Sequence, residues 1–372
     1  MDEKCSALEP RSRRIVTIPY QDLLQFDNSN INNQMLEKIG EAFGSNADCL
    51  GILAVTDVPG LSEKRERLLP LARRLAVSDN LDVYEHPESL FQVGWSHGRE
   101  IFAGRPDVAK GSFYANPVED NLAQLRQVTP SMARENPAFF APNVWPTTCM
   151  PELEPAFKEL GHLVVAVGQL LTKPCDAYVK FRCPGYQHDK LSSVLDKSKC
   201  HKGRLLHYFA RDVPLLDHTT TDDGWCGWHN DHSSLTGLVP GMFLDEKGHQ
   251  VTCSDAGLSI QSRHGSVISV ELPPNSLGFQ IGEAAQIHTG GILQATPHAV
   301  RSTQVPGVTR ESFVVFLEPE YDDAMELPIG RHVADVQDSS IPLPSSVRPL
   351  HHRWCHGQSF GEFSNATISA FH

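Results

Sequence analysis

Apolar residues change their period partway along this chain. Before about residue 175 the clearest repeats fall at spacings of three and four. Met35, Ile39 and Phe43 recur at four-residue steps and predict a short amphipathic helix over Asn33 to Phe43. Leu68, Leu69, Leu71, Ala72 and Leu75 give the segment opening at Leu61 a helical apolar face. Ser62 is its expected N-cap, and Pro70 is expected to kink or break it. The clearest helix starts at Pro151, where Phe157, Leu160, Leu163, Val164, Val167, Leu170 and Leu171 form one stripe. Acids crowd its first turn, and Lys173-Pro174 is expected to end it. Strand-like runs occupy 13–20 and Leu50 to Val55. Residues 77–150, rich in Pro, Gly, Asn and aromatic side chains, read as long loops with broken helices.

Further on, the apolar residues gather into short runs of strand character: Leu205 to Phe209, Leu235 to Phe243, Ser266 to Leu272, Leu277 to Ile281, His298 to Thr303 and Ser312 to Leu317. Turn signals separate them, among them Pro240-Gly, Pro273-Pro-Asn, Thr289-Gly-Gly and Pro306-Gly. Serial short strands with Gly/Pro turns predict a sandwich or barrel of jelly-roll type. Helices first and sheet after make one α+β unit, followed by a proline-containing tail with limited helix.

Composition narrows the function classes. The 372 residues carry a formal net charge of −13, which argues against a nucleic-acid partner, since a phosphate backbone wants a basic surface. The first residues are polar and lack the apolar stretch of a secretory signal, and no apolar run is long enough to span a bilayer. Nine scattered cysteines without C-x-x-C spacing read as reduced thiols, so a cytoplasmic location is expected.

The candidate chemistry lies in two segments, Gly227-Trp-His-Asn-Asp-His-Ser-Ser-Leu-Thr-Gly-Leu238 and Ala295-Thr-Pro-His-Ala-Val300. H-x-D alone is weak, since about one such tripeptide arises by accident in a chain with this much His and Asp. Context strengthens it. His229 and Asp231 share a face if the strand period holds, and His298 follows after enough chain to return beside them. Two imidazoles and a carboxylate can hold one face of a divalent metal and leave three positions open. Beyond His298, Arg310-Glu-Ser312 opens an apolar run. Arg310 and Ser312, at i and i+2, point to one side and could hold a carboxylate.

Other features have plainer readings. Trp225 and Trp228 either wall a substrate mouth or pack in the core, with packing favoured. His232 falls on the opposite strand face from Asp231 and is not counted as a ligand. His351, His352, Cys355 and His356 form a tail cluster that nothing in the sequence orders. Arg301 either faces a charged substrate or lies in solvent.

Trp228-His-Asn-Asp-His-Ser-Ser-Leu-Thr-Gly-Leu, the stretch Leu272 to Val300 and Arg310-Glu-Ser312 resemble, in order, three motifs of the isopenicillin N synthase-like 2-oxoglutarate/Fe(II)-dependent dioxygenases. Gly51-Ile-Leu-Ala-Val and Lys110-Gly-Ser-Phe-Tyr resemble that family's N-terminal region, so the similarity covers roughly 14–320. It implies a double-stranded β-helix core over 178–320, an N-terminal helical region over 1–177 and a C-terminal tail over 321–372. It implies Fe(II) on His229, Asp231 and His298. It also implies 2-oxoglutarate as co-substrate, with the far carboxylate on Arg310 and Ser312, and ascorbate as an optional addition. Tyr208 stands at the family's co-substrate tyrosine, although Phe209 replaces the proline that usually follows. Glu283 stands where Asp is usual, and Ala299 replaces an Arg. The implied activity is oxidation, foremost hydroxylation, of a small organic molecule by dioxygen with release of succinate and CO2. The motifs leave open an Fe(II) oxidase of the same fold that uses no 2-oxoglutarate. A non-catalytic jelly-roll binding protein and a zinc hydrolase also stay open.

Overall fold

The computed structural model describes residues 11–12, 15–27, 33–102, 105–211, 224–337 and 342–369. Arg13 and Arg14, at the start of the first strand-like run, lie outside them. Two short strands open the chain, β1 (Arg11–Ser12) and β2 (Val16–Pro19), followed by helices α1 (Tyr20–Leu24) and α2 (Asn33–Phe43). The four-residue rhythm holds in α2, which buries Met35, Leu36, Ile39 and Phe43. Strand β3 (Ile52–Thr56) is buried on both faces and leads to α3 (Leu61–Ala76).

Helix α3 corrects two expectations. Ser62 does not cap it; the N-cap is Gly60, at φ 71°, and the Ser62 hydroxyl bonds the Asn275 side chain instead. Pro70 does not break it either. A mid-helix proline costs about 3 kcal/mol, but Leu68, Leu69, Leu71 and Leu75 are all buried, each at about 1.5–3 kcal/mol, so packing outweighs the lost bond.

The stretch read as loops contains two strands of the main sheet, β4 (Gly94–His97) and β7 (Lys110–Ala115). Between them lies a small separate hairpin, β5 (Ile101–Phe102) with β6 (Arg105–Pro106). The short helices α4 (Pro130–Glu135) and α5 (Pro137–Phe140) come next. Helix α6 (Leu153–Arg182) runs eight residues beyond the expected stop at Pro174, because Cys175, Ala177 and Val179 continue its buried stripe. Residue 177 therefore lies inside a helix. Beyond it, α7 (Lys190–Lys197) is tied back by the buried Asp176 carboxylate, which accepts from the backbone N–H groups of Leu191 and Ser192.

The remaining strands are β8 (Lys202–Tyr208), β9 (Cys226–His229), β10 (Leu235–Leu238), β11 (Met242–Leu244), β12 (Gln250–Val251), β13 (Gly257–Gln261), β14 (Val267–Val270), β15 (Ser276–Ile281), β16 (His298–Arg301) and β17 (Thr309–Leu317). Helix α8 (Glu283–His288) lies between β15 and β16. They form two sheets of a double-stranded β-helix. The larger runs β2-β3-β15-β10-β17-β8-β7-β4, and the smaller β1-β14-β13-β16-β9. Helix α6 backs the larger sheet, and glycines let it approach. A Cβ on Gly237 would stand 2.3 Å from Val164, and one on Gly203 would stand 2.6 Å from Phe157.

The tail is more ordered than expected. It holds α9 (Val333–Val336) and α10 (Phe360–Ile368), and Phe360 and Phe363 are fully buried. Among the described residues, no helix is long and apolar enough to cross a membrane.

Candidate metal centre

Strand β9 delivers His229 at its last position, and β16 opens with His298 as its direct antiparallel partner. The two imidazole centroids lie 4.3 Å apart. Asp231 sits just past the end of β9 rather than on the strand, yet its carboxylate reaches both rings. Oδ1 is 3.7 Å from His229 Nε2, and Oδ2 is 3.7 Å from His298 Nε2. One ligand atom from each of the three residues lies within 4.8 Å of the others, the only such group of three or more among the described residues.

The imidazoles are oriented by their far nitrogens. His229 Nδ1 donates to Gly227 O at 2.8 Å and His298 Nδ1 to Thr296 O at 3.3 Å, which leaves both Nε2 lone pairs facing the carboxylate. Burial lowers His298 to about 4, against the opposing pull of Asp231. Burial alone would raise the Asp231 carboxyl, but His298, His229 and the Thr236 hydroxyl outweigh it and hold it below its ordinary value. A neutral imidazole and an ionised carboxylate are the forms a metal binds. Asp231 Oδ2 is buried with no hydrogen-bond partner, a cost that a cation at the centre of the three residues removes.

The loop carrying Asp231 is held by the start of α8. Glu283 N–H donates to Asp231 O at 2.8 Å and Ala284 N–H to Ser233 O at 3.1 Å. Gly282 permits this approach, since a Cβ there would lie 2.0 Å from Ser233 O.

A second group sits across the larger sheet. Arg310 on β17 pairs directly with Tyr208 on β8, and its guanidinium carbon stands 5.2 Å over the Tyr208 ring. Arg310, Ser312 and Tyr208 are all buried, and Arg310 Nη1 has no hydrogen-bond partner. Burial, then the neighbouring Cys226, push the Tyr208 phenol up to about 12, so it remains a donor. Gly241 makes room, since a Cβ there would lie 2.6 Å from Arg310 Nε. Tyr208, Leu206, Trp225, Cys226 and Val300 form one interior cluster, and Cys226 Sγ lies 3.9 Å from His229 Nδ1. That cluster joins the Arg310 group to the His229 end of the ligand set.

Sequence reasoning missed a polar group on the same inner surface. Arg204, four residues before Tyr208, bonds Glu100 Oε1 at 2.6 Å and Ser112 Oγ at 3.0 Å and lies 4.7 Å over the Tyr114 ring. Lys110 pairs with Glu100 at 3.2 Å and closely with Asp107. Glu100, Asp107, Lys110, Ser112 and Arg204 line a small cleft that opens to solvent. The i, i+4 spacing of Arg204 and Tyr208 on one strand was the available signal; Glu100 and Asp107 lie in a stretch with no readable period.

The secondary candidates resolve differently. Trp225 and Trp228 are buried packing residues, the latter against Ala299 and Val347. His232 faces away from the ligand set, 3.1 Å from the Ser364 hydroxyl. Arg301 Nε is buried without a partner. The rings of His351 and His352 adjoin at 4.2 Å, without further ligands gathered around them among the described residues.

No family model and no curated protein matches the chain. Solved structures do. A full-length Neurospora crassa protein in complex with alpha-KG and 5-formyluracil superposes with a TM-score of 0.65 at 16% identity, covering 96% of each chain. A Caulobacter crescentus protein assigned to the 2OG-Fe(II) oxygenase family gives 0.65 at 18% identity, covering 95% of this chain and 98% of that one. JOX2, in complex with 2OG, Fe and JA, gives 0.62 at 15% identity over 97% and 87%. Identities this low establish the shared architecture.

Proposed function

We propose that this chain, built on the fold of the 2OG-Fe(II) oxygenases, is an Fe(II)- and 2-oxoglutarate-dependent dioxygenase that oxidises, foremost by hydroxylation, a small organic molecule. The observation that carries this is the convergence of His229, Asp231 and His298, with both Nδ1 atoms tied to carbonyls and an unpartnered Asp231 oxygen turned inward. Two imidazoles and one carboxylate suit a ferrous ion and leave room for co-substrate and dioxygen. An Fe(II) ion held there would supply Lewis-acid and redox chemistry for dioxygen, one oxygen atom of which would end in succinate as 2-oxoglutarate loses CO2 and the other in the hydroxylated substrate.

The chain's residues bind and orient. Arg310 offers a buried guanidinium whose free Nη1 can take the distal carboxylate of a dicarboxylic acid, with Ser312 and Tyr208 as neighbouring hydroxyl donors. The interior cluster around Trp225 and Cys226 keeps bulk water from the space between the two groups. Arg204, Ser112 and Tyr114 present a polar wall suited to substrate orientation. Two of the structural neighbours were solved with an oxoacid co-substrate and a small organic ligand, which supports a small-molecule substrate here.

The unpartnered Arg310 favours 2-oxoglutarate use over an oxidase of the same fold that needs none. Succinate formation from 2-oxoglutarate under air, dependent on Fe(II), tests the proposal. Iron-dependent oxygen consumption without succinate would assign the oxidase, and metal binding without oxygen consumption a binding protein.

A further inference from the structure

We infer that residues 344–368 form an external strap that fixes the metal-ligand loop, with Arg353 as its positioning residue. This rests on the metal centre proposed above. The loop 228–232 meets this strap at Trp228 and His232, and at Asn230 and Asp231 it meets Glu283, which the strap holds. Ser346 Oγ donates to Trp228 O at 2.9 Å, and Val347 packs on Trp228. The His232 ring stacks at 16° on Phe360, lies edge-on to Phe363, and hydrogen bonds Ser364 Oγ at 3.1 Å. Arg353 grips Glu283 with two bonds, Nη1 to Oε2 at 2.8 Å and Nη2 to Oε1 at 2.6 Å. Glu283 in turn accepts from Asn230 Nδ2 at 3.3 Å, and its backbone N–H holds Asp231 O at 2.8 Å.

Arg353 is itself fixed from three further sides. It bonds Thr367 Oγ1 at 2.9 Å and Arg348 O at 3.0 Å, and its guanidinium stands 5.6 Å over the Phe363 ring. Arg353 and Glu283 are both buried, so the pair is rigid and little screened. The glutamate at 283 is long enough to meet the arginine and Asn230 together. The strap touches none of the three ligand side chains in this network; it sets where Asp231 stands relative to the two imidazoles. Outer-shell partners of this kind typically tune metal affinity 10- to 100-fold.

The test is Co(II) titration of the full chain under nitrogen, followed by d–d absorption, with unfolding measured in parallel. Arg353→Lys keeps the charge but loses the two-pronged geometry. It should bind Co(II) about 10- to 100-fold more weakly, with an altered band shape. Ser364→Ala should move affinity the same way by less. Leu160→Ala, in the core of α6, should lower stability and leave affinity and spectrum unchanged. A folded Arg353→Lys with wild-type affinity and spectrum overturns the strap. If that variant does not fold, unchanged affinity in Ser364→Ala overturns it. An unaltered chain that binds no Co(II) removes the metal centre itself, and the strap with it.

Discussion

Replacing Arg310 with methionine separates a co-substrate residue from a structural one. In this structure the guanidinium is buried, Nη1 has no acceptor, and the contact the structure gives its cationic head is the Tyr208 ring at 5.2 Å. An unsatisfied buried donor costs about 1–3 kcal/mol, while the cation–π contact returns about 0.5–2 kcal/mol. The net runs from about 1 kcal/mol lost to about 2.5 kcal/mol gained on substitution, so Arg310→Met should leave the apo-protein no more than about 1 kcal/mol less stable than wild type. With 2-oxoglutarate bound the balance changes. A desolvated, hydrogen-bonded charge pair is then broken, at about 2–4 kcal/mol, which is about 30- to 1000-fold in Kd. The assay is calorimetric titration of 2-oxoglutarate into Fe(II)-loaded protein under nitrogen, with urea melts of the apo-protein alongside. Wild type should also gain about 2.7 kcal/mol of stability at a ligand concentration one hundred times its Kd. An unchanged Kd would refute the assignment. So would a loss of more than about 3 kcal/mol in the apo-protein, which would make Arg310 part of the scaffold.

Three other outcomes follow from the geometry. His229→Ala and Asp231→Ala should each abolish metal-dependent turnover while circular dichroism shows the fold retained; normal turnover in either removes that residue from the centre. Gly241→Ala places a Cβ 2.6 Å from Arg310 Nε and should weaken 2-oxoglutarate binding by about tenfold or more without unfolding, and an unchanged Kd would mean the guanidinium has free room to move. Glu318 is raised by burial from 4.5 to about 7, so its contribution to stability is present below about 4.5 and is lost as pH rises through about 7. Glu318→Gln should therefore gain on wild type by about 1.4 kcal/mol per pH unit across that window. A stability difference that does not change between pH 5 and 8 would show that Glu318 ionises freely.

The parts of the fold legible in the sequence were those with a clear apolar pattern. Helix α2 and the stripe of α6 bury residues at a helical period, and strands β8, β15 and β17 coincide with short apolar runs between turn signals. Proline misled wherever tertiary packing outweighed the local rule, since Pro70 and Pro174 both sit inside continuous helices. Strands β4 and β7 were hidden because they bury polar residues, Ser96 in one and Lys110 and Ser112 in the other, so neither reads as an apolar run. The metal-ligand candidates were legible because three donors with tight geometric demands fall in recognisable short motifs. Arg353 and Glu283 were not. Their pairing joins residues far apart in sequence, and each alone looks like an ordinary surface charge.

The opening of the chain threads both layers. Arg11–Ser12 pairs with β14 in the smaller sheet, while Val16–Pro19 lies beside β3 in the larger. Strand β3 then meets β15, with Thr56 opposite Ser276. A loop of ~220 residues must therefore close before the larger sheet gains its final neighbours, and long loops of this kind make folding slow. The sandwich cannot be completed by its later strands alone. A fragment beginning after α6 would expose the backbone edge of β15 to solvent, an invitation to pair with other molecules.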